Sequence, residues 1–334
     1  MIKPAFLSLM LLPMAALADP VPVTTDNFIR AESDLFIGNA AKLGGVGKWH
    51  HTREPSPLDN QTVIRLNRDT LYSSLVLDLD AGPARLTVPD AGDRFISAQV
   101  VNEDHYVPFV WYEPGTYDLT QQNVGTRYAV LAVRTLVNPN DPEDLKAVHA
   151  LQDQLQVEQA APGAFTVPEW DPESQGQVRQ HLNALAAMLP DTRGMFGTKD
   201  QVDPVRHLLG SAYAWGGNPE KDALYLNFVP ERNDGQTVYK LLVKDVPVDG
   251  FWSVSVYDKN GYYQPNDLNA YSFNNVTAKK ADDGSVAIQF GGCAADIPNC
   301  LPITEGWNYM VRLYRPQAAI LDGSWTFPMA EVTK

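Results

Sequence analysis

The sequence predicts a mainly β protein with a helical insert: two antiparallel β-sandwich domains joined by an α-helical segment. Three observations carry this reading. Short runs rich in Val, Ile, Leu, Tyr and Phe, separated by Gly, Pro, Asn and Asp, fill residues 63–137 and return over 224–327. Between them, apolar residues recur at helical spacing behind Asp-Pro pairs. The 25 prolines and 23 glycines among 334 residues suit many short strands better than long helices. At about 100–200 residues per domain, the length favours two domains over one. A composition of 44% hydrophobic and 20% charged residues supports buried cores rather than global disorder.

The elements follow in order. Residues 1–18 read as an export leader: Lys3 is the positive end, Ala5–Leu12 the apolar run, and Ala16-Leu17-Ala18 the cleavage site before Asp19. That run is shorter than the roughly 20 residues of a membrane span, so a periplasmic or secreted location is expected, with no span. A helix is expected from Asp26, with Phe28, Ile29, Leu35, Phe36, Ala40 and Leu43 on its apolar face and Gly44-Gly45 as its stop. Strands are expected at Val63–Leu66, Leu71–Leu79, Ala84–Val88, Phe95–Val101, Val107–Tyr112 and Tyr128–Val137, completing an N-terminal domain over 19–140. The helical segment spans 141–217. Asp141-Pro142-Glu143 opens its first helix, a second covers about Pro172 to Leu189, and a third begins at Asp203-Pro204. The C-terminal domain, 218–334, is expected to carry strands at Leu224–Val229, Thr237–Val243, Phe251–Tyr257, Val286–Phe290, Tyr309–Tyr314 and Trp325–Phe327. Cys293 and Cys300, the chain's two cysteines, make a local disulfide in an oxidising compartment, with two free thiols as the alternative.

A formal charge of −14 excludes a nucleic-acid backbone as the main partner, because phosphate binding needs clustered Lys and Arg. The chain has no G-x-S-x-G elbow, no phosphate loop of the G-x-x-x-x-G-K-[ST] type and no H-E-x-x-H helix. Three clusters remain as candidates. In Asn67-Arg68-Asp69-Thr70-Leu71-Tyr72, Asp69 can serve as a base or orient a substrate, and the alternative is a self-bonded turn. In Asn102-Glu103-Asp104-His105-Tyr106, Glu103 and His105 share a face if the stretch is extended, which suits proton transfer or metal ligation; the alternative is a solvated loop. In the aromatic and amide-rich stretch with Tyr263, Asn269, Tyr271 and Asn274, flat rings beside amides suit a sugar, and the alternative is an ordered loop that satisfies its own backbone.

The motifs Asn67–Ser74, Val76–Leu79, Val88-Pro89-Asp90 and Asp93-Arg94-Phe95 resemble the bacterial domain of unknown function 1254. Gly250–Asp258, Leu268–Ser272, Asn274-Asn275 and Leu321–Trp325 resemble its partner, domain of unknown function 1214. The resemblance implies two sandwiches, the second jelly-roll-like, and brings no catalytic set with it.

The function expected from these residues is binding of a polar small molecule or glycan, with Asn67, Arg68, Tyr72, Tyr106, Tyr263, Asn269, Tyr271 and Asn274 as contacts. A hydrolase or lyase is the alternative, using Asp69, Glu103 and His105, with Arg68 or Arg134 clamping an anion. A structural, self-associating envelope protein is the third reading. No cofactor is evident; a divalent metal and a homo-oligomer stay open.

Overall fold

The structure, a computed structural model, describes residues 19–61, 64–189 and 191–333, so the expected leader at 1–18 lies outside the described residues. In the N-terminal half, a five-stranded antiparallel sheet runs in the order β1 (His50–His51), β2 (Thr70–Asp78), β7 (Tyr128–Leu136), β4 (Ile96–Asn102), β5 (Phe109–Trp111). A three-stranded sheet of β6 (Gly115–Leu119), β3 (Ala84–Val88) and β8 (Gln156–Gln159) shares its core through Leu75, Leu77, Leu86, Val100, Leu131 and Val133. In the C-terminal half, β12 (Ser272–Asn274), β11 (Trp252–Tyr257), β15 (Asn308–Tyr314) and β9 (Ala223–Phe228) form one sheet. The other is β14 (Cys300–Leu301), β13 (Val286–Phe290), β10 (Tyr239–Val243) and β16 (Glu331–Val332). All its pairings are antiparallel except β13 with β14, and both sheets bury side chains around Leu241, Val254, Ile288, Phe290 and Val311. The pairings establish stacked sheets in two regions and do not establish a jelly roll.

Among the described residues six α-helices accompany the strands: α1 (Phe28–Gly44), α2 (Gln121–Val124), α3 (Pro142–Asp153), α4 (Pro172–Ala186), α5 (Pro204–Tyr213) and α6 (Ala318–Leu321). The protein is thus mixed α/β, with more strand than helix and with α4 and α5 between the two β regions. Three helices start as their Asp-Pro pairs dictate. The carboxylates of Asp141, Asp171 and Asp203 each accept two backbone N–H bonds in the first turn, and proline follows at the position that needs no N–H. Helix α1 packs its Phe28 and Ala31 against Leu182 and Leu209 of α4 and α5, and its Ile37 against Val76 and Val130 of the large N-terminal sheet.

Among the described residues two expected strands do not form, Val63 of the first lying outside them. Ile64 and Arg65 form a turn, with Arg65 at φ 53°, because Arg65 N–H donates to Gly261 O rather than to a neighbouring strand. Trp325–Phe327 is irregular: Phe327 covers the C-terminal core as an apolar plug, and Trp325 N–H bonds back to Ala319 O. His50 and His51 add a short edge strand, with His51 Nδ1 2.8 Å from Ser73 Oγ. Strand β8, unforeseen, lies in the segment read as helical and pairs with β3 of the N-terminal half.

The Cys293–Cys300 disulfide closes a loop of sequence separation 7 beside β14. Constraining such a loop in the unfolded chain is worth about 2–3 kcal/mol. A Cys293→Ser, Cys300→Ser double variant should lose about that much in urea unfolding, and unchanged stability would contradict it. A second prediction concerns Asp34 on α1. Burial first, with Glu103 and Asp104 nearby, pushes its carboxyl up to about 6, although Trp170 Nε1 donates to Oδ2 at 2.8 Å. A raised folded value means that the native state holds the proton through the window from about pH 4 to pH 6, so stability falls as pH rises through it. Asp34→Asn removes that loss. Its unfolding free energy relative to the parent should rise by on the order of 3 kcal/mol between about pH 4 and pH 7; a difference independent of pH would contradict the assignment.

Candidate functional site

Period-2 alternation sends Met310, Arg312 and Tyr314 of β15 to one face of their sheet, and Tyr225 and Asn227 of β9 to the same side. In the N-terminal sheet, Tyr72 of β2 stands directly opposite Arg134 of β7, and in the C-terminal sheet Arg312 stands directly opposite Tyr225. These two Arg–Tyr pairs, one from each sheet, line a common cavity of about 380 Å³. Asn67 and the turn before it close one side, and the chain from the end of α4 to Gly217 covers the rest with Leu189, Met195, Phe196 and Trp215.

Both guanidinium groups are buried: Arg134 is 8% exposed and Arg312 2%. Among the described residues neither has a carboxylate within ion-pair distance. Uncharged acceptors hold them instead. Arg134 donates to Gln99 Oε1 at 2.6 Å and to Gly216 O at 3.4 Å, and its Cζ lies 5.5 Å from the centre of the Tyr72 ring. Arg312 donates to Ser255 Oγ at 2.9 Å, to Tyr257 Oη at 2.8 Å and to the carbonyls of Arg65 and Leu66. Burial opposes both charges, and the surrounding tyrosines, joined for Arg312 by Asp69, outweigh it, so both groups stay cationic.

The phenols differ among themselves. Burial raises Tyr72, but Arg134, followed by hydrogen bonds from Asn67 and Thr70, outweighs burial and holds it below the ordinary tyrosine value. Burial raises Tyr225 and places Tyr314 well above that value. Asn67 Nδ2 donates to Thr70 Oγ1 at 2.9 Å and lies 3.2 Å from Tyr72 Oη and 3.3 Å from Tyr314 Oη, which ties one phenol from each β region to a single amide.

The other sequence candidates fall into two groups outside the lining. Asp69 is buried behind Asn67 and bridges the halves: its Oδ1 accepts from Asn274 Nδ2 at 3.1 Å and Ser272 Oγ at 3.4 Å, while Oδ2 has no partner among the described residues. Arg68 stacks over Tyr271 at 5.3 Å, and Tyr263 Oη meets Tyr257 Oη at 3.2 Å; both tyrosines are buried in an aromatic cluster rather than set out as a platform. Asn269 lies at the surface, its Nδ2 3.3 Å from Asn140 Oδ1.

The second group sits on the far side of Gly216. Glu103 accepts from Tyr128 N–H at 2.9 Å and pairs with Arg30, and burial raises its carboxyl. His105 is 0% exposed, and burial, then His207, push its imidazole down to about 3. It is therefore neutral, and its Nε2 accepts from Gly216 N–H at 2.9 Å, which leaves the proton on Nδ1 without a partner among the described residues. Tyr106 stacks on His207 at 4.6 Å. His105 thus holds the strap whose Gly216 carbonyl receives Arg134. That strap needs glycine: Gly216 sits at φ 75°, and a Cβ on Gly217 would meet the Phe196 ring at 2.5 Å. Among the described residues, no three His, Cys, Asp or Glu side chains converge to hold a metal ion.

Sequence reasoning named Asn67, Tyr72 and Arg134 and missed Arg312, Tyr225 and Tyr314. The available signal was a lone arginine in the middle of an otherwise apolar strand, as in Tyr309–Tyr314 and Tyr128–Val137.

Two family matches bracket the cavity. Residues 46–107 match Protein of unknown function (DUF1254), and residues 229–318 match Protein of unknown function (DUF1214). Asn67 and Tyr72 lie in the first, Arg312 and Tyr314 in the second. No curated protein matches the chain. Among solved structures, the VPA0106 protein of Vibrio parahaemolyticus is similar, with a TM-score of 0.70 at 20% identity over 93% of this chain and 98% of that one. A putative uncharacterized protein from Burkholderia cenocepacia is similar at a TM-score of 0.53 and 13% identity, covering 92% and 88%. At these identities the likeness concerns the fold alone. The chain thus carries a match to the DUF1254 model at 46–107 ahead of a match to the DUF1214 model at 229–318.

Proposed function

We propose that this protein binds a small anionic molecule, with an acidic sugar as the best-fitting class, in the cavity between its two β regions. The observation that carries the reading is the pair of buried guanidinium groups, Arg134 and Arg312, facing one cavity without carboxylate partners among the described residues. Burying a charge costs several kcal/mol unless an opposite charge or strong hydrogen bonds offset it. Guanidinium forks match carboxylate geometry in two parallel bonds, so an anionic ligand supplies the missing partner. The volume fits the lower part of the range of about 300–1,000 Å³ usual for small-molecule sites. Trp215, Phe196 and Met195 offer the flat and apolar surface on which the face of a sugar ring packs.

An extracytoplasmic setting goes with this reading. The Cys293–Cys300 disulfide supports an oxidising compartment, and the leader read at 1–18 supports export. No helix among the described residues is long and apolar enough to cross a membrane.

The test is thermal unfolding of the protein lacking residues 1–18 with uronic acids, their neutral hexose counterparts, alkanoates and inorganic phosphate. A ligand at about 100 times its dissociation constant adds about 2.7 kcal/mol, or a Tm rise of roughly 5–10 °C for a chain of this size. The rise should appear with the acids, be absent with the neutral sugars, and vanish in Arg134→Gln and in Arg312→Gln. Equal shifts from neutral sugars, or acid-induced shifts that survive both substitutions, would overturn the proposal.

A further inference from the structure

The two phenols joined by Asn67 lie at the seam where the cationic walls meet, and their environments push them apart in proton affinity. Tyr72 has Arg134 across the ladder and accepts a bond from Asn67 at 3.2 Å; Tyr314 accepts from the same amide at 3.3 Å and is buried among other tyrosines. Arg134 lowers Tyr72 while burial raises Tyr314, so of the two phenols Tyr72 is the better placed to lose a proton. Two titratable groups separated in this way are the usual makings of a base and an acid in one site. Among the described residues the one carboxylate in the lining, Asp191, is engaged by Arg206 at 2.9 Å, and no histidine lines the cavity.

Resting on the reading of the cavity as an anion site, we infer that it is also a catalytic site for β-elimination, in which Tyr72 is the base and Tyr314 the acid. The substrate class is a carboxylate with a hydrogen on the adjacent carbon and an oxygen substituent on the next, as in a 4-linked uronate glycan. Tyr72 phenolate takes the proton from the carbon beside the carboxylate. The electron pair of that C–H bond first spreads into the carboxylate, whose doubled charge Arg134 and Arg312 stabilise. It then forms the carbon–carbon double bond as the C–O bond breaks, and Tyr314 gives its proton to the departing oxygen. The products are an unsaturated acid and an alcohol. No water, oxidant or reductant is consumed, and exchange with solvent returns the proton from Tyr72 to Tyr314.

The experiment uses short 4-linked oligomers of galacturonate, glucuronate and mannuronate as probes, with absorbance of the conjugated double bond as readout. Deuterium uptake at carbon 5 of the same oligomers in heavy water is followed in parallel, and thermal shift reports binding. The expected result is double-bond formation with at least one oligomer. Tyr72→Phe should slow it by about 10²–10⁴-fold, the usual contribution of a general base, while keeping the thermal shift; Arg134→Gln should lose both. An oligomer that binds through the arginines yet yields neither double bond nor deuterium uptake overturns the catalytic inference and leaves the anion site standing. Binding of other anions but of no uronate overturns the substrate class. Full turnover in Tyr72→Phe overturns the assigned base, and if no anion binds at all, the anion site falls with it.

Discussion

Two positive charges buried in sheets that line one cavity, with no carboxylate within ion-pair distance of either among the described residues, are the constraint around which this protein is arranged. Such charges are tolerable only where hydrogen bonds or an opposite charge offset the cost of burying them. The acceptors come from distant parts of the chain. Arg312, in the C-terminal sheet, takes the carbonyls of Arg65 and Leu66 from the turn that leads into the N-terminal sheet. Arg134, in the N-terminal sheet, takes Gly216 O from the strap that leads into the C-terminal one. Each arginine therefore holds the segment that enters the other half, and the same bonds that dock the two β regions also shape the cavity. Asp69 adds a bond of the same kind, bridging to Ser272 and Asn274.

How much of this was legible in the sequence depends on the range of the interaction that decides each feature. Local chemistry decides the helix starts, and the Asp-Pro pairs at 141, 171 and 203 each cap a helix as their side chains require. Alternation and breakers decide the long strands, so β2, β3, β7, β11, β13 and β15 fall within a residue or so of their expected limits. Short edge strands such as β8 and β16 exist only because a partner lies alongside, and nothing in four residues of Gln-Val-Glu-Gln announces that partner. The cavity belongs with these. Arg134 and Arg312 are separated by most of the chain, and their convergence follows from how two sheets meet rather than from any motif.

His105 shows how packing decides what a residue type can do. A histidine beside two acids at a strand end has the composition of a proton shuttle or of a solvated loop. Structure gives it a different office. With no exposed surface and with Phe196, His207 and Trp215 around it, the ring is kept neutral, and its acceptor nitrogen fixes Gly216 N–H. The carbonyl of that glycine then faces Arg134 and Gln99. His105 acts on the site through one peptide unit, as a positioning residue. The carboxylates next to it are occupied in the same sense: Arg30 engages both Glu103 and Asp104 and ties α1 to the end of β4.

On the proposed reading, a cationic cavity inside a chain of formal charge −14 divides recognition into two ranges. Beyond the Debye length of about 8–10 Å at physiological salt, an approaching anion meets little of the net negative field. Inside the cavity, low-dielectric walls of Trp215, Phe196, Met195 and Leu189 strengthen the attraction of the two guanidinium groups. Selection then rests on whether a ligand can place its charge between Arg134 and Arg312 while giving those walls a surface to cover. An inorganic anion satisfies the first condition and leaves the walls wet; a neutral sugar satisfies the second and leaves the charges unpaired. A molecule with a carboxylate fixed to a compact ring meets both.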